Sequence, residues 1–160
     1  MHSEFDETNL RLKFWCIAKD WGHALGTLEI GFNASEGAAL EGVVRMSQRN
    51  LDWTYRFNCC GYDLSEFRKQ VLALHAERQI VAELTSLEGF FTLTLETIPT
   101  PERTLLISGQ VESINPNFSW KIPFGGFRGD ASYLPDLARN IASFLTVVNV
   151  STEHPMVERP

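Results

Sequence analysis

Apolar and polar residues alternate along four early stretches of the chain. Over residues 10–18, Leu10, Leu12, Phe14 and Cys16 interleave with Arg11, Lys13 and Trp15, the period-2 signature of a half-buried strand. Leu28, Ile30 and Phe32 mark a second strand, and Leu40, Val44 and Met46 a third. In the fourth, Leu51, Trp53, Tyr55, Phe57 and Cys59 share one face while Asp52, Thr54, Arg56 and Asn58 share the other. The period then changes: Leu64, Phe67, Val71 and Leu74 recur at three and four residues, the buried stripe of a helix. Asp63 and Glu66, three residues apart, predict a capping box at its start.

The same succession returns later in the chain. Ile80/Ala82/Leu84, Phe91/Leu93/Leu95, Leu105/Ile107/Val111 and Phe118/Trp120/Ile122/Phe124 read as strands, and Leu134, Leu137, Ile141, Phe144 and Val148 as a helical stripe. Asp130 or Ser132 would cap that helix, with Pro135 early, where a missing N–H matters little. The run Gly125-Gly126-Phe127-Arg128-Gly129-Asp130 predicts the turn from strand into helix. Shifting the chain by 67 residues, without gaps, lays Thr27-Leu28-Glu29 on Thr94-Leu95-Glu96. Gly22, Gly42, Val44, Asn50, Trp53, Phe57, Asp63 and Ser65 then fall on Gly89, Gly109, Val111, Asn117, Trp120, Phe124, Asp130 and Ser132, the mark of an internal repeat. One greasy and one wet face per strand is the antiparallel pattern. The prediction is an α+β fold: two pseudo-repeated ββββα units forming antiparallel sheet or sheets, with two helices packed on the apolar face. Residues 10–78 and 79–150 would be the halves of one fused globular domain, between a flexible arm at 1–9 and a flexible tail at 151–160.

Composition narrows the function classes. The chain has 160 residues, 44% of them hydrophobic and 21% charged, enough for a packed core. Fourteen Lys and Arg stand against 20 Asp and Glu, a net charge of −6, which argues against nucleic-acid binding by bulk electrostatics. The longest apolar stretch, Ile141–Val150, is interrupted by polar residues and falls short of the roughly 18 residues of a membrane helix. The acidic opening Met1–Glu7 lacks the order of a signal peptide, and Cys16, Cys59 and Cys60 make a poor disulfide framework. These features point to a cytoplasmic protein with reduced thiols. The Asn-X-Ser/Thr matches at Asn33, Asn117 and Asn149 would then go unused.

Candidate chemistry is sparse. Of His2, His23, His75 and His154, only His75 sits beside a helical stripe; a thiol–histidine hydrolase would pair it with Cys59 or Cys60 as base and nucleophile. No glycine elbow or third orienting residue accompanies that pair. Vicinal Cys59-Cys60 lacks zinc spacing, and at the repeat offset Gly125 and Gly126 stand near the same place, so no metal or other cofactor is expected. The glycine-rich run lacks the order of a phosphate loop, and its Arg128-Gly129-Asp130 triplet would matter only outside the cell. A binding surface is the stronger expectation. Trp15 falls on the polar face of the first strand, as an interface anchor would, and Glu29, Glu41 and Asp52 point the same way, giving an outer face suited to a basic partner.

The order Asp63-Leu64, Phe67, Leu72-x-Leu74, Leu84-Thr85-Ser86-Leu87-Glu88-Gly89, Leu93-x-Leu95, Gly109-x-Val111, Trp120, Phe124 and Tyr133-Leu134-x-x-Leu137 resembles WapI-like bacterial proteins over roughly residues 50–148. That resemblance implies an immunity partner of a toxin and supplies no catalytic residue. The expected function is a non-enzymatic protein-binding module that covers a basic toxin domain or another protein through Trp15, Glu29, Glu41 and Asp52, without nucleic acid or membrane. A homodimer through an edge strand is a further possibility of the pattern. The rival reading is a small-ligand carrier, with Trp53, Tyr55, Trp120 and Phe124 lining a cleft between the halves.

Overall fold

The computed structural model describes residues 1–6, 8–17, 24–35, 39–48, 50–114 and 117–154. Its strands are β1 (His2–Asp6), β2 (Asn9–Ile17), β3 (Ala24–Ala34), β4 (Ala39–Gln48), β5 (Leu51–Cys60), β6 (Val81–Thr85), β7 (Phe91–Thr97), β8 (Thr104–Ile114) and β9 (Ser119–Asp130). Helix α1 (Gly61–His75) follows β5, and α2 (Leu134–Val148) follows β9 after a 3-10 turn at Ala131–Tyr133. Every ladder is antiparallel: β1 to β5 form one sheet and β6 to β9 another, and the two join into one nine-stranded array where β2 pairs β9 at Trp15 and Arg128. The fold is thus the predicted α+β arrangement, and its order follows the doubled ββββα plan roughly, with β1 added in front and the 3-10 turn inserted before α2.

Alternation sends one set of side chains inward from each strand. Leu10, Leu12 and Phe14, Leu28, Ile30 and Phe32, then Leu93, Leu95, Leu105 and Ile107 meet the helical stripes Leu64, Phe67, Val71, Leu74 and Leu134, Leu137, Ile141, Phe144 in one core. Strand β5 runs across the second sheet rather than along it. Trp53 meets Phe124 of β9, the Tyr55 hydroxyl donates to the Glu112 carbonyl of β8, Phe57 stacks on Phe91 of β7, and the Leu87 N–H beyond β6 donates to the Asn58 carbonyl.

Two glycines make the stacking possible. Gly42 lies opposite Phe57, and Gly109 opposite Phe124, and a Cβ on either glycine would overlap the facing ring. Each phenylalanine lies flat over the bare backbone of its neighbour. Phe57 and Phe91 stack at 4.1 Å and Phe91 and Phe124 at 6.4 Å, so the three rings form a column joining the sheets. The two glycine–phenylalanine pairs are those that the 67-residue offset superposes.

Several local expectations change. The predicted flexible arm carries β1, paired with β2 from Asp6–Asn9 to His2–Lys13. Asn140 of α2 donates to the Ser3 carbonyl at 3.1 Å, and the Phe5 ring meets Phe144 edge-on at 6.4 Å. A strand with one large apolar residue gives no periodic signal. The predicted tail is described as far as His154, whose ring packs on Tyr62 at 4.8 Å, while Ser151 lies against Gly61. Gly125 and Gly126 belong to β9, not to a turn: the register slips between Ile107 and Gly109, and Gly126 takes φ +81°. This bulge lets Phe124 and Phe127, three residues apart, both face inward. The cap of α1 is also shifted, since Asp63 accepts the Cys60 N–H at 3.0 Å and so sits inside the first turn rather than before it.

Exposed strand edges are occupied from nearby. On β6, Gln70 of α1 accepts the Glu83 N–H at 2.8 Å, and Gln79 donates to the Val81 carbonyl at 2.6 Å. Asn140 does the same for β1, and the Leu87 N–H for β5. Such capping blunts strand addition, and an edge-strand homodimer would have to displace these contacts.

Substituting either glycine tests the column. Gly42→Ala should lower unfolding free energy by about 1–3 kcal/mol through overpacking. Gly109→Ala should lower it further, because its Cβ would also strike the Thr92 carbonyl, which cannot swing away. Urea titration distinguishes the two; equal losses would show that the Thr92 carbonyl adds nothing to the ring clash, and no loss in either variant would show that the rings do not govern the site.

The cap before α2 has a pH signature. Asp130 accepts the Ser132 N–H at 2.7 Å, and these bonds to Ser132 hold its carboxyl below the usual range. The unfolded chain therefore binds that proton at higher pH than the folded one. Its stabilisation is present at neutral pH and lost as pH falls through the depressed folded value. Asp130→Ala should reduce stability at pH 7 by about 1 kcal/mol and flatten the acid limb of a stability–pH curve.

Candidate binding surface

Strand periodicity places Glu29, Glu41 and Asp52 on the outer face of the first sheet, as predicted. Register then decides their electrostatics. Glu29 lies opposite Arg45, with Oε1 3.5 Å from Nη1, and Glu41 is ion-paired with Arg56. Glu4 on β1 similarly meets Lys13 at 3.1 Å and Arg11 at 3.5 Å. Glu4, Glu29 and Glu41 on this face thus have cationic neighbours, a detail that the alternating pattern could not supply without the register. Asp52 stands opposite Ser47. A shallow pocket of about 470 Å³ between these strands is lined by Thr27, Glu29, Arg45 and Asp52. The Trp15 backbone pairs with Thr27 and Arg128; its side chain lies outside the described residues, as does His23.

The thiol–histidine set is not brought together. Cys60 precedes the first residue of α1 and His75 ends it, a separation of about 22 Å at 1.5 Å rise per residue. Burial, with Asp63 and Cys60 beside it, pushes the Cys59 thiol far above its usual value. Cys60 is held up by partial burial and by its hydrogen bond to Asp63 Oδ2, at 3.1 Å. Thiolate is the nucleophilic form, and burial together with the Asp63 contact favours the protonated thiol at both positions. At the other end of α1, Arg103 donates to the Leu74 and His75 carbonyls at 3.3 and 3.0 Å, a C-terminal cap for the helix. Among the described residues no three of His, Cys, Asp or Glu stand close enough to hold a metal ion, and no helix is long and apolar enough to cross a membrane.

The aromatic side chains expected to line a cleft meet one another. Trp53 lies 5.9 Å from Phe124, and Tyr55 meets Trp120 at 5.9 Å with the rings 86° apart. These contacts set the rings of the two halves against one another, while Trp53 and Trp120 also line surface pockets. Trp53 Nε1 is buried there without a hydrogen-bond partner among the described residues.

At the start of β9, far from α2, the stripe runs out of the core. Phe118 is 62% exposed and Trp120 36% exposed, although both continue the inward series of Ile122 and Phe124. Around Trp120 is a pocket of about 370 Å³ lined by Glu112, Ser113, Ser119 and Lys121. Glu112 Oε2 lies 3.4 Å from Lys121 Nζ. The β6–β7 turn brings Glu88 toward the same corner: Ser86 Oγ accepts the Phe91 N–H at 3.0 Å, and Gly89 takes φ +75°. Burial first, then the charges of Glu88 and Glu112, hold the Tyr55 phenol above its usual value. Sequence reasoning assigned Phe118 and Trp120 to the core; the available signal was their position before the first buried residue of the strand.

Alkylation tests the thiol assignment. In a chain carrying Cys16→Ser, Cys60 should react slowly with iodoacetamide at pH 7 and Cys59 only after unfolding. Rapid labelling of both in the native state would contradict the burial and hydrogen bonding described above.

No protein-family model matches the chain, and no curated protein matches it. It is similar to a solved structure described as Trypanosoma bruciei MRP1/MRP2, at 12% identity and a TM-score of 0.46, over 86% of this chain and 83% of that one.

Proposed function

We propose that this protein is a non-catalytic protein-binding module whose contact surface is built around Phe118 and Trp120. The observation that carries this reading is the exposure of Phe118, just before β9, and of Trp120 within it, on a stripe that continues through half-buried Ile122 to buried Phe124. Apolar surface left in water is unfavourable by roughly 25 cal/mol per Å², and aromatic anchors dominate interface energetics. Trp120 is held by its edge contact with Tyr55, whose hydroxyl is engaged by Glu112, so little side-chain freedom would be lost on docking. Their cationic neighbours make Glu29 and Glu41 the weaker anchors.

The mode of action is occlusion in the cytoplasm: a rigid surface covers the working face of a partner, and the net charge of −6 favours a basic one by speeding encounter. The resemblance to WapI-like proteins supports a toxin domain as that partner. The test is affinity capture from the source cells, followed by reconstitution of the complex from purified components. Phe118→Asp should weaken the reconstituted complex by about tenfold or more, with unchanged circular dichroism. Failure of every captured protein to reconstitute would end the binding-module reading.

A further inference from the structure

We infer that the pocket beside Trp120, whose ring Tyr55 holds in place, is a seat for a cationic side chain, arginine or lysine, presented by a basic segment of a partner protein. This inference rests on the protein-binding reading above and specifies where the partner docks and what it carries. The two rings meet edge to face, 86° apart at 5.9 Å, and the pocket beside them is lined by Trp120. Tyr55 cannot rotate away without breaking its 2.9 Å hydrogen bond to the Glu112 carbonyl. A cation over an indole face gains from the ring quadrupole, more so when partly desolvated.

The polar groups around the pocket select the same charge. Glu112 lines the Trp120 pocket with the hydroxyls of Ser113 and Ser119, all of which accept hydrogen bonds from ammonium or guanidinium. Glu88 adds a second carboxylate from the neighbouring turn, close enough to act on Tyr55. Against these stands Lys121, paired with Glu112 at 3.4 Å and more than half exposed. Its ammonium occupies the carboxylate that an incoming cation would use, as a tethered placeholder. An anionic ligand would face two carboxylates and the net charge of the whole chain.

The experiment is calorimetric titration of the full-length chain with a hexa-arginine peptide at low salt, with hexaglutamate as control. Arginine peptide should bind and glutamate peptide should not. Trp120→Ala should weaken binding about tenfold, the upper range of a desolvated cation–π contact, and Glu112→Gln should weaken it as well. Lys121→Gln should tighten binding severalfold, because the placeholder is gone, and Glu41→Gln on the far face should change nothing. Absence of arginine-peptide binding, indifference to Trp120→Ala, or loss of affinity in Lys121→Gln would each overturn the inference. A reconstituted partner complex that ignores Trp120→Ala and Glu112→Gln would also overturn it while leaving the binding-module reading in place. If nothing reconstitutes, that broader reading falls, and the peptide titration alone decides the cation seat.

Discussion

The stacking of Phe57 on Phe91, with Phe124 beyond it, is possible only because Gly42 and Gly109 present no side chain on the adjoining strands. A ring lying flat over a neighbouring backbone keeps its strand low in the sheet. That lets β5 cross the second sheet at contact distance, and the crossing sets the rest. It turns the end of β5 toward the helices, delivers Tyr55 to the carbonyl of Glu112, and places Asn58 beside Leu87. Glycine, ordinarily a weak strand residue, is here the element that fixes the inter-sheet distance in both halves.

Much of this architecture was legible in the chain. Leu64, Phe67, Val71 and Leu74 announced a helix by spacing alone, and the alternation from Leu51 to Cys59 announced a strand. The equivalence of Gly42 with Gly109 and Phe57 with Phe124 was visible as identity at one offset, and the structure gives it a physical content: the same ring-over-glycine contact made twice. What escaped had physical causes. β1 depends on contacts made 137 residues away, through Asn140 to Ser3, and a five-residue strand with Phe5 as its large apolar member has no period to detect. Gly125-Gly126 looked like a turn because turns and bulges draw on the same backbone freedom; only the pairing of Ile107 with Phe127 separates them.

The surface was less legible than the core, for a related reason. Alternation tells which face a charge occupies but not what lies across from it. Glu29 and Glu41 lie on the outer face, and register makes Arg45 and Arg56 their neighbours. Conversely, Phe118 and Trp120 belong by period to the interior and by position to the rim. Chemical candidates suffered from distance rather than orientation: Cys60 and His75 bracket a straight helix, and a helix keeps its ends apart.

The anchoring of β1 by α2 bears on how the chain is made. Its first strand hydrogen-bonds to a helix encoded in the final fifth of the sequence, and the bridge from Trp15 to Arg128 spans nearly as far. On a ribosome, β1 to β5 can zip through local hairpins as they emerge, whereas the α2 contact over β1 must wait for a residue 137 positions later. Until then the β1 hydrogen-bonding edge has no helix over it, so the nascent chain passes through an interval of exposure that the finished molecule never shows.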